Sequence, residues 1–135
     1  PAIVGNEGGR SPILLICEHA GRRIPRKLGT LGLPEADLSR HIAWDIGGEA
    51  VTRMLSQLID APFVLQRYSR LVYDCNRPPE SPGAMPEVSE TTTVPGNQNL
   101  TAGEKQARID EIYRPFHTRV RGQGQQLGWS VHRRV

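Results

Sequence analysis

The residues able to do chemistry fall in three clusters. The first is Glu18-His19, directly after the apolar run Ile13-Leu14-Leu15-Ile16-Cys17. A histidine where a strand gives way to a loop can ligate a metal through one ring nitrogen while an acceptor behind it holds the other; it can equally hydrogen-bond the backbone and do no more. The second is Trp44-Asp45-Ile46-Gly47, with His41 four residues before Asp45. Positions i and i+4 share a helix face, so the two make either a ligand pair or an ion pair, and Asp45 is also placed to cap a helix opening near Glu49. The third is Ser69-Arg70-Leu71-Val72-Tyr73-Asp74-Cys75-Asn76-Arg77-Pro78-Pro79. Arginine forks bind carboxylates at two points, and a rigid Pro-Pro holds such groups in place. The alternative is an ion pair between Asp74 and an arginine. His117, beside Phe116, reads as structural. No glycine pattern matches a phosphate-binding loop.

The elements that must position these residues follow from apolar spacing. Ile13–Cys17 is a short continuous run, as in a strand covered on both faces of a parallel sheet, and polar residues at the end of such a strand are where open α/β sheets place ligands. A helix is expected to start near Pro34. A clearer one runs from about Glu49 to Ile59, with Val51, Met54, Leu55, Leu58 and Ile59 making one face apolar. Phe63–Leu65 and Leu71–Tyr73 read as two further strands. Arg77 to Leu100 holds five prolines and no apolar period, a loop long enough to be functional or disordered. Thr101 and Glu104 form a capping box, and Pro115 should kink the helix it opens. Residues 1–11 read as a mobile arm and residues 122–135 as a basic tail without periodicity.

The chain has 135 residues, which predicts one domain. Hydrophobic residues make up 37% and aromatic residues 5%, so the core must rest on Leu, Ile, Val and Ala. No apolar run approaches the roughly 20 residues of a membrane span, and no signal segment is visible, so a soluble cytoplasmic protein without membrane contact is expected. Net charge is +3, and no acidic residue follows Glu111. The basic tail lacks the aromatic interleaving of a nucleic-acid surface, so no nucleic-acid partner is expected. Cys17 and Cys75 are too few and too far apart for a disulfide framework and read as buried thiols.

Taken together, the motifs resemble the N-formylglutamate amidohydrolase family. The likeness is carried by Cys17-Glu18-His19-Ala20-Gly21 with Ile24-Pro25, by Ala43-Trp44-Asp45, by Tyr68 to Pro79, by Glu90 to Gly96 and by Tyr113-Arg114-Pro115-Phe116-His117. The segment Arg-Leu-Val-Tyr-Asp-Cys-Asn-Arg-Pro-Pro is the most specific. The resemblance implies a phosphorylase/hydrolase-like α/β fold, a three-layer sandwich with a mostly parallel central sheet, incomplete at the C-terminus. It implies a metal-dependent amidohydrolase that converts N-formyl-L-glutamate to glutamate and formate, as in histidine degradation, with a zinc-activated water. His19 and Asp45 match metal ligands. Arg70, Asn76 and Arg77 match the segment lining the site of a small acidic acyl-amino acid.

The family carries a further ligand on a later strand ending in His-Ser. The late histidine here is His132, followed by Arg133. The expectation is a truncated member with a weakened site, whose open sheet edge invites a homodimer. The competing readings are a non-catalytic remnant and an interaction module with a basic tail.

Overall fold

The computed structural model describes residues 1–129. Its centre is β3 (Phe63–Gln66), four buried residues flanked by β1 (Ala2–Gly5) and β2 (Leu15–Cys17) in the order β1-β3-β2. β2 runs parallel to β3 with Ile16 opposite Val64, and β1 runs antiparallel with Ile3 opposite Leu65. The sheet is therefore small and mixed. The expected mobile arm is corrected: Ala-Ile-Val-Gly satisfies the free backbone edge of β3, and the Asn6 amide donates to Asp60 Oδ1 at 3.0 Å and to the Ala61 carbonyl at 3.2 Å, tying down the turn that follows. The Ile13–Cys17 run forms a shorter strand than expected, and it lies at the sheet edge with Ile16 exposed.

Helix α1 (Glu35–Leu38) is a single turn after Pro34, and α2 (Gly48–Ile59) opens within the Gly47-Gly48 pair, with Gly47 as its N-cap. Gly47 adopts φ 83°, a left-handed conformation in which a side chain would be strained. The chain closes with α3 (Ala102–Arg108), a π-helical turn over Ile109–Tyr113 and α4 (Arg114–Gln126). Thr101 and Glu104 complete the capping box, with both reciprocal hydrogen bonds made. Pro115 does not break the rod. Proline cannot donate to the carbonyl four residues back, and the π turn absorbs the mismatch, with the Arg114 amide reaching Ile109 O instead. The helix also runs into the expected aperiodic tail as far as Gln126, burying Gln123 and Gly124; residues 130–135 of that segment, His132 included, lie outside the described residues.

Two apolar clusters separate on the two sides of the sheet. Phe63, Leu65, Leu15 and Cys17 meet on the α2 side, while Val64, Val4, Phe116 and Val120 meet on the α4 side. Alternation along β3 produces this split, so helices flank both faces.

The expected strand Leu71–Tyr73 is corrected. These residues form a turn, wholly buried, without ladder partners. A short apolar triplet looks alike in a strand and in a buried turn. Here side chains replace the ladder. Asn97 donates to Leu71 O at 2.7 Å, and Arg108 donates to Val72 O at 3.0 Å and to Asn97 Oδ1 at 2.7 Å. Asn97 sits in the expected long loop, which is ordered by a two-strand hairpin, β4 (Val88–Ser89) with β5 (Thr92–Thr93), and by buried Ala84, Met85 and Val94. Asn97 also donates to Pro86 O at 2.8 Å, so Asn97→Ala should lower stability by about 2–3 kcal/mol, because it strands the Leu71 and Pro86 carbonyls and part of a buried guanidinium together. Thermal unfolding of the variant checks this, and a loss within about 0.5 kcal/mol would assign the turn's stability to apolar packing instead.

Candidate active site

The parallel pairing of β2 with β3 fixes where the chain leaves the sheet edge, and His19 follows two residues after β2 ends. The pairing is extended past the strands by a parallel bridge between Arg23 and Tyr68. Gly21 lies against the backbone here: a Cβ on it would stand 2.4 Å from Arg67 O, so the approach requires glycine. Two backbone hydrogen bonds then gather the clusters. The Asp45 amide donates to His19 O at 2.8 Å, and the Arg70 amide and Ser69 hydroxyl both donate to Ala43 O, at 3.2 and 2.7 Å. Three segments distant in sequence are thereby pinned together.

The result is a polar knot around His19. Its Nε2 stands 2.6 Å from Asp74 Oδ1, and its Nδ1 stands 3.4 Å from Asp45 Oδ2. Asp74 is buried and also accepts from the Asn76 amide at 3.0 Å, from Arg77 Nε at 3.3 Å and from Arg70 Nη2 at 3.4 Å. Arg70 reaches Asp45 as well, at 3.6 Å. Burial alone would push the Asp74 carboxyl up; the hydrogen bond and charge of His19, the Asn76 amide and the Arg70 charge outweigh it and hold the group below the usual carboxylate range. Asp74 is therefore an ionised acceptor at neutral pH, and the His19 Nε2–H donates to it. That leaves Nδ1 turned toward Asp45, whose side chain is 55% exposed and forms the open side of the knot.

Of the residues singled out by sequence, His19, Asp45, Arg70 and Arg77 come together. Asn76 joins through its amide, while its side chain is exposed. Arg77 stays half-exposed beside a depression of about 220 Å³ that Arg70, Asp74, Ile42, Pro86 and Glu90 also line. His41 does not join Asp45. The chain between them is a turn, not a helix, and His41 pairs with Glu90 at 2.6 Å. Nor does Asp45 cap α2, since Gly47 holds that position. His117 contacts Cys75 O at 2.9 Å and stacks near Tyr113, a packing role. The residue that sequence reasoning undervalued is Asp74. It pairs with arginines as one reading expected, but its principal partner is His19, 55 positions away. The available signal was a carboxylate at the end of an apolar run with arginines on both sides: a buried charge needs several partners at once.

Two carboxylates and two guanidiniums around one imidazole make a site suited to a small charged ligand. Ligands about 2.0–2.2 Å from a tetrahedral zinc stand roughly 3.3–3.6 Å apart, and the Nδ1–Oδ2 spacing of His19 and Asp45 falls in that span. Asp74 behind Nε2 is the acceptor that a ligating histidine ordinarily has. His19 and Asp45 therefore fit a zinc as a pair. Among the described residues no group of three or more His, Cys, Asp or Glu side chains converges on one point. No helix among them is long and apolar enough to cross a membrane.

A mixed α/β body with a carboxylate-anchored histidine just past a parallel strand defines the class. The N-formylglutamate amidohydrolase family model matches residues 11–134, and the chain belongs to that family. Among solved structures it is similar to the crystal structure of gene product Atu2144 from Agrobacterium tumefaciens, with 50% sequence identity and a TM-score of 0.90, over 96% of this chain and 53% of that one. The chain thus spans about half the length of that relative. No curated protein matches it.

The thiols supply a check on this geometry. Burial pushes the Cys75 thiol up to about 12 and raises Cys17 as well, so both are protonated near neutrality. Ellman's reagent at pH 8 should leave Cys75 unmodified until denaturant is added; prompt modification in the native protein would show that the Asp74–Asn76 turn opens.

Proposed function

We propose that this chain supplies the His19–Asp45 side of a zinc-dependent amidohydrolase site acting on N-formyl-L-glutamate, or a close acidic acyl-amino acid, to give the free amino acid and formate. The observation that carries the reading is His19 anchored through Nε2 by buried Asp74, with Nδ1 turned to an exposed carboxylate at tetrahedral-edge distance. Family membership supports the hydrolase class and motivates the substrate. Zinc bound there would bring a water near neutral pKa and polarise the formyl carbonyl. Asp74 holds the imidazole orientation and keeps its proton on Nε2. Arg77, half-exposed, is the fork for a substrate carboxylate, and Arg70 balances Asp45 and Asp74 while presenting a second positive edge. The depression beside them is below the roughly 300 Å³ of drug-sized pockets, which suits a small acid. In the overall reaction water adds to the formyl carbon, the C–N bond breaks and the amine leaves with a proton.

Helices on both faces of the sheet support a three-layer sandwich as the frame of the complete domain. Hydrolytic zinc sites use three protein ligands, and the described residues offer two. The 135-residue chain assayed alone with added zinc should therefore release formate below about 1 s⁻¹, under the ordinary enzyme range. Chelator-sensitive turnover at an ordinary rate would instead show that His132 completes the site. Elemental analysis with equilibrium dialysis tests the metal directly. Asp74→Asn should weaken zinc binding about 10–100-fold by releasing the ring of His19, and unchanged zinc affinity in a folded variant would make Asp74 purely structural. Calorimetric titration with N-formyl-L-glutamate tests the fork: Arg77→Ala should weaken binding roughly 10–100-fold, the worth of a charged hydrogen bond.

A further inference from the structure

Behind the turn that leads to Asp74, Arg108 keeps part of its hydrogen-bonding capacity unspent. The residue is 4% exposed, and among the described residues no carboxylate pairs with it. Its Nη1 is committed twice, to Val72 O at 3.0 Å and to Asn97 Oδ1 at 2.7 Å. Nη2 makes one long contact with Gly96 O at 3.4 Å, and Nε–H has no acceptor among the described residues. Nε and Nη2 share the edge with which a guanidinium grips a carboxylate at two points. That edge is not sealed either: among the described residues Gln123 Oε1 is the fully enclosed side-chain polar atom without a partner. Arg108 instead borders a cavity of about 250 Å³ between the helical turn Arg26–Leu28, residues 96–100 and α3. The rest of the lining is mainly apolar, with Pro25, Leu28, Leu100, Ala107 and Ile112. The two acids on its wall are engaged elsewhere, Glu104 by the Thr101 amide and Glu111 by Lys27. A buried cation beside an apolar cavity is costly without an anion of its own, and burial draws the pKa of Arg108 down.

We propose that this cavity binds a small monocarboxylate with an apolar chain, its carboxylate on the Nε–Nη2 edge of Arg108 and its chain among Leu28, Leu100, Ala107 and Ile112. The head is anionic because a negative charge is the partner that a buried guanidinium lacks, and a planar carboxylate matches the fork. The body is apolar because the lining is, and it is small because the volume is below the roughly 300 Å³ of drug-sized pockets. Glu104 and Glu111 on the same wall repel a second negative charge, so a dicarboxylate or a phosphate fits poorly. The ligand class therefore differs from the acidic acyl-amino acid proposed for the His19 site. The two places are also separate in space, since the cavity shares no lining residue with the depression beside Arg77. They are joined through one side chain: by way of Arg108 the bound acid bears on Val72 O, two positions before Asp74.

The test titrates sodium hexanoate into the 135-residue chain and follows binding by calorimetry and by backbone amide NMR, with hexanol, acetate and glutarate as comparisons. The expected result is one saturable site for hexanoate. Binding should be about 10-fold weaker or worse for hexanol, which lacks the charge, and for acetate, which lacks the chain. Glutarate, with its second charge, should also bind more weakly. The amides of Leu28, Ala107 and Ile112 should shift, while those of Asp45 and Glu90, which border the His19 site, should not. Ala107→Trp fills the cavity from α3 without removing any bond of Arg108, and it should abolish hexanoate binding. No saturable binding, hexanol binding as tightly as hexanoate, shifts confined to the Asp45 and Glu90 side, or a tryptophan variant that binds like the parent would each overturn the proposal. The amide map needs no variant, so it decides even where the tryptophan disturbs the fold.

Discussion

The Asp74 carboxylate is the constraint on which the rest of this structure depends. An ionised group with only 5% of its side chain exposed is costly unless several donors meet it, and it is met by the His19 ring, the Asn76 amide, Arg70 and Arg77. Each partner comes from the turn around Asp74 or from the loop after β2. Satisfying the charge therefore dictates that these two stretches touch. The orientation of His19 is a by-product of that satisfaction, and so is the exposure of Nδ1 toward Asp45. Structure and site have one electrostatic origin.

The same logic recurs behind the site. The turn at Arg70–Val72 can be buried because Asn97 and Arg108 serve its carbonyls, which couples helix α3 to the segment carrying Asp74. Arg108 is itself nearly inaccessible, and burial draws its pKa below the usual guanidinium value. Its charge is stabilised by carbonyl dipoles and by Asn97. The π turn over Ile109–Tyr113 follows directly, letting Pro115 sit in the rod while Ile112 and Phe116 stay in the core. Helix, long loop and buried turn thus hold the site from below through polar contacts, while the apolar clusters hold it from the sides.

The surface records the opposite balance. Helix α2 gives its polar face to the sheet and its apolar flank to the outside. Thr52 and Ser56 can face the sheet because each closes a hydrogen bond within its own segment.

By itself the sequence determined what local rules control. The Thr101–Glu104 cap, the α2 span and the apolar run of β3 were all legible, because capping and periodicity act within a few positions. Tertiary structure decided what depends on partners far along the chain. The residues of β1 became a strand because β3 had a free edge. Leu71–Tyr73 became a turn because Asn97 and Arg108 could replace a ladder. His41 went to Glu90 because a turn rather than a helix connects it to Asp45, and Asp74 went to His19 because its buried charge needed a donor from across the fold. Hydrophobic spacing reports that a face is apolar but not which way it points. Direction is set by where backbone and charge find their complements, and those lie dozens of residues away.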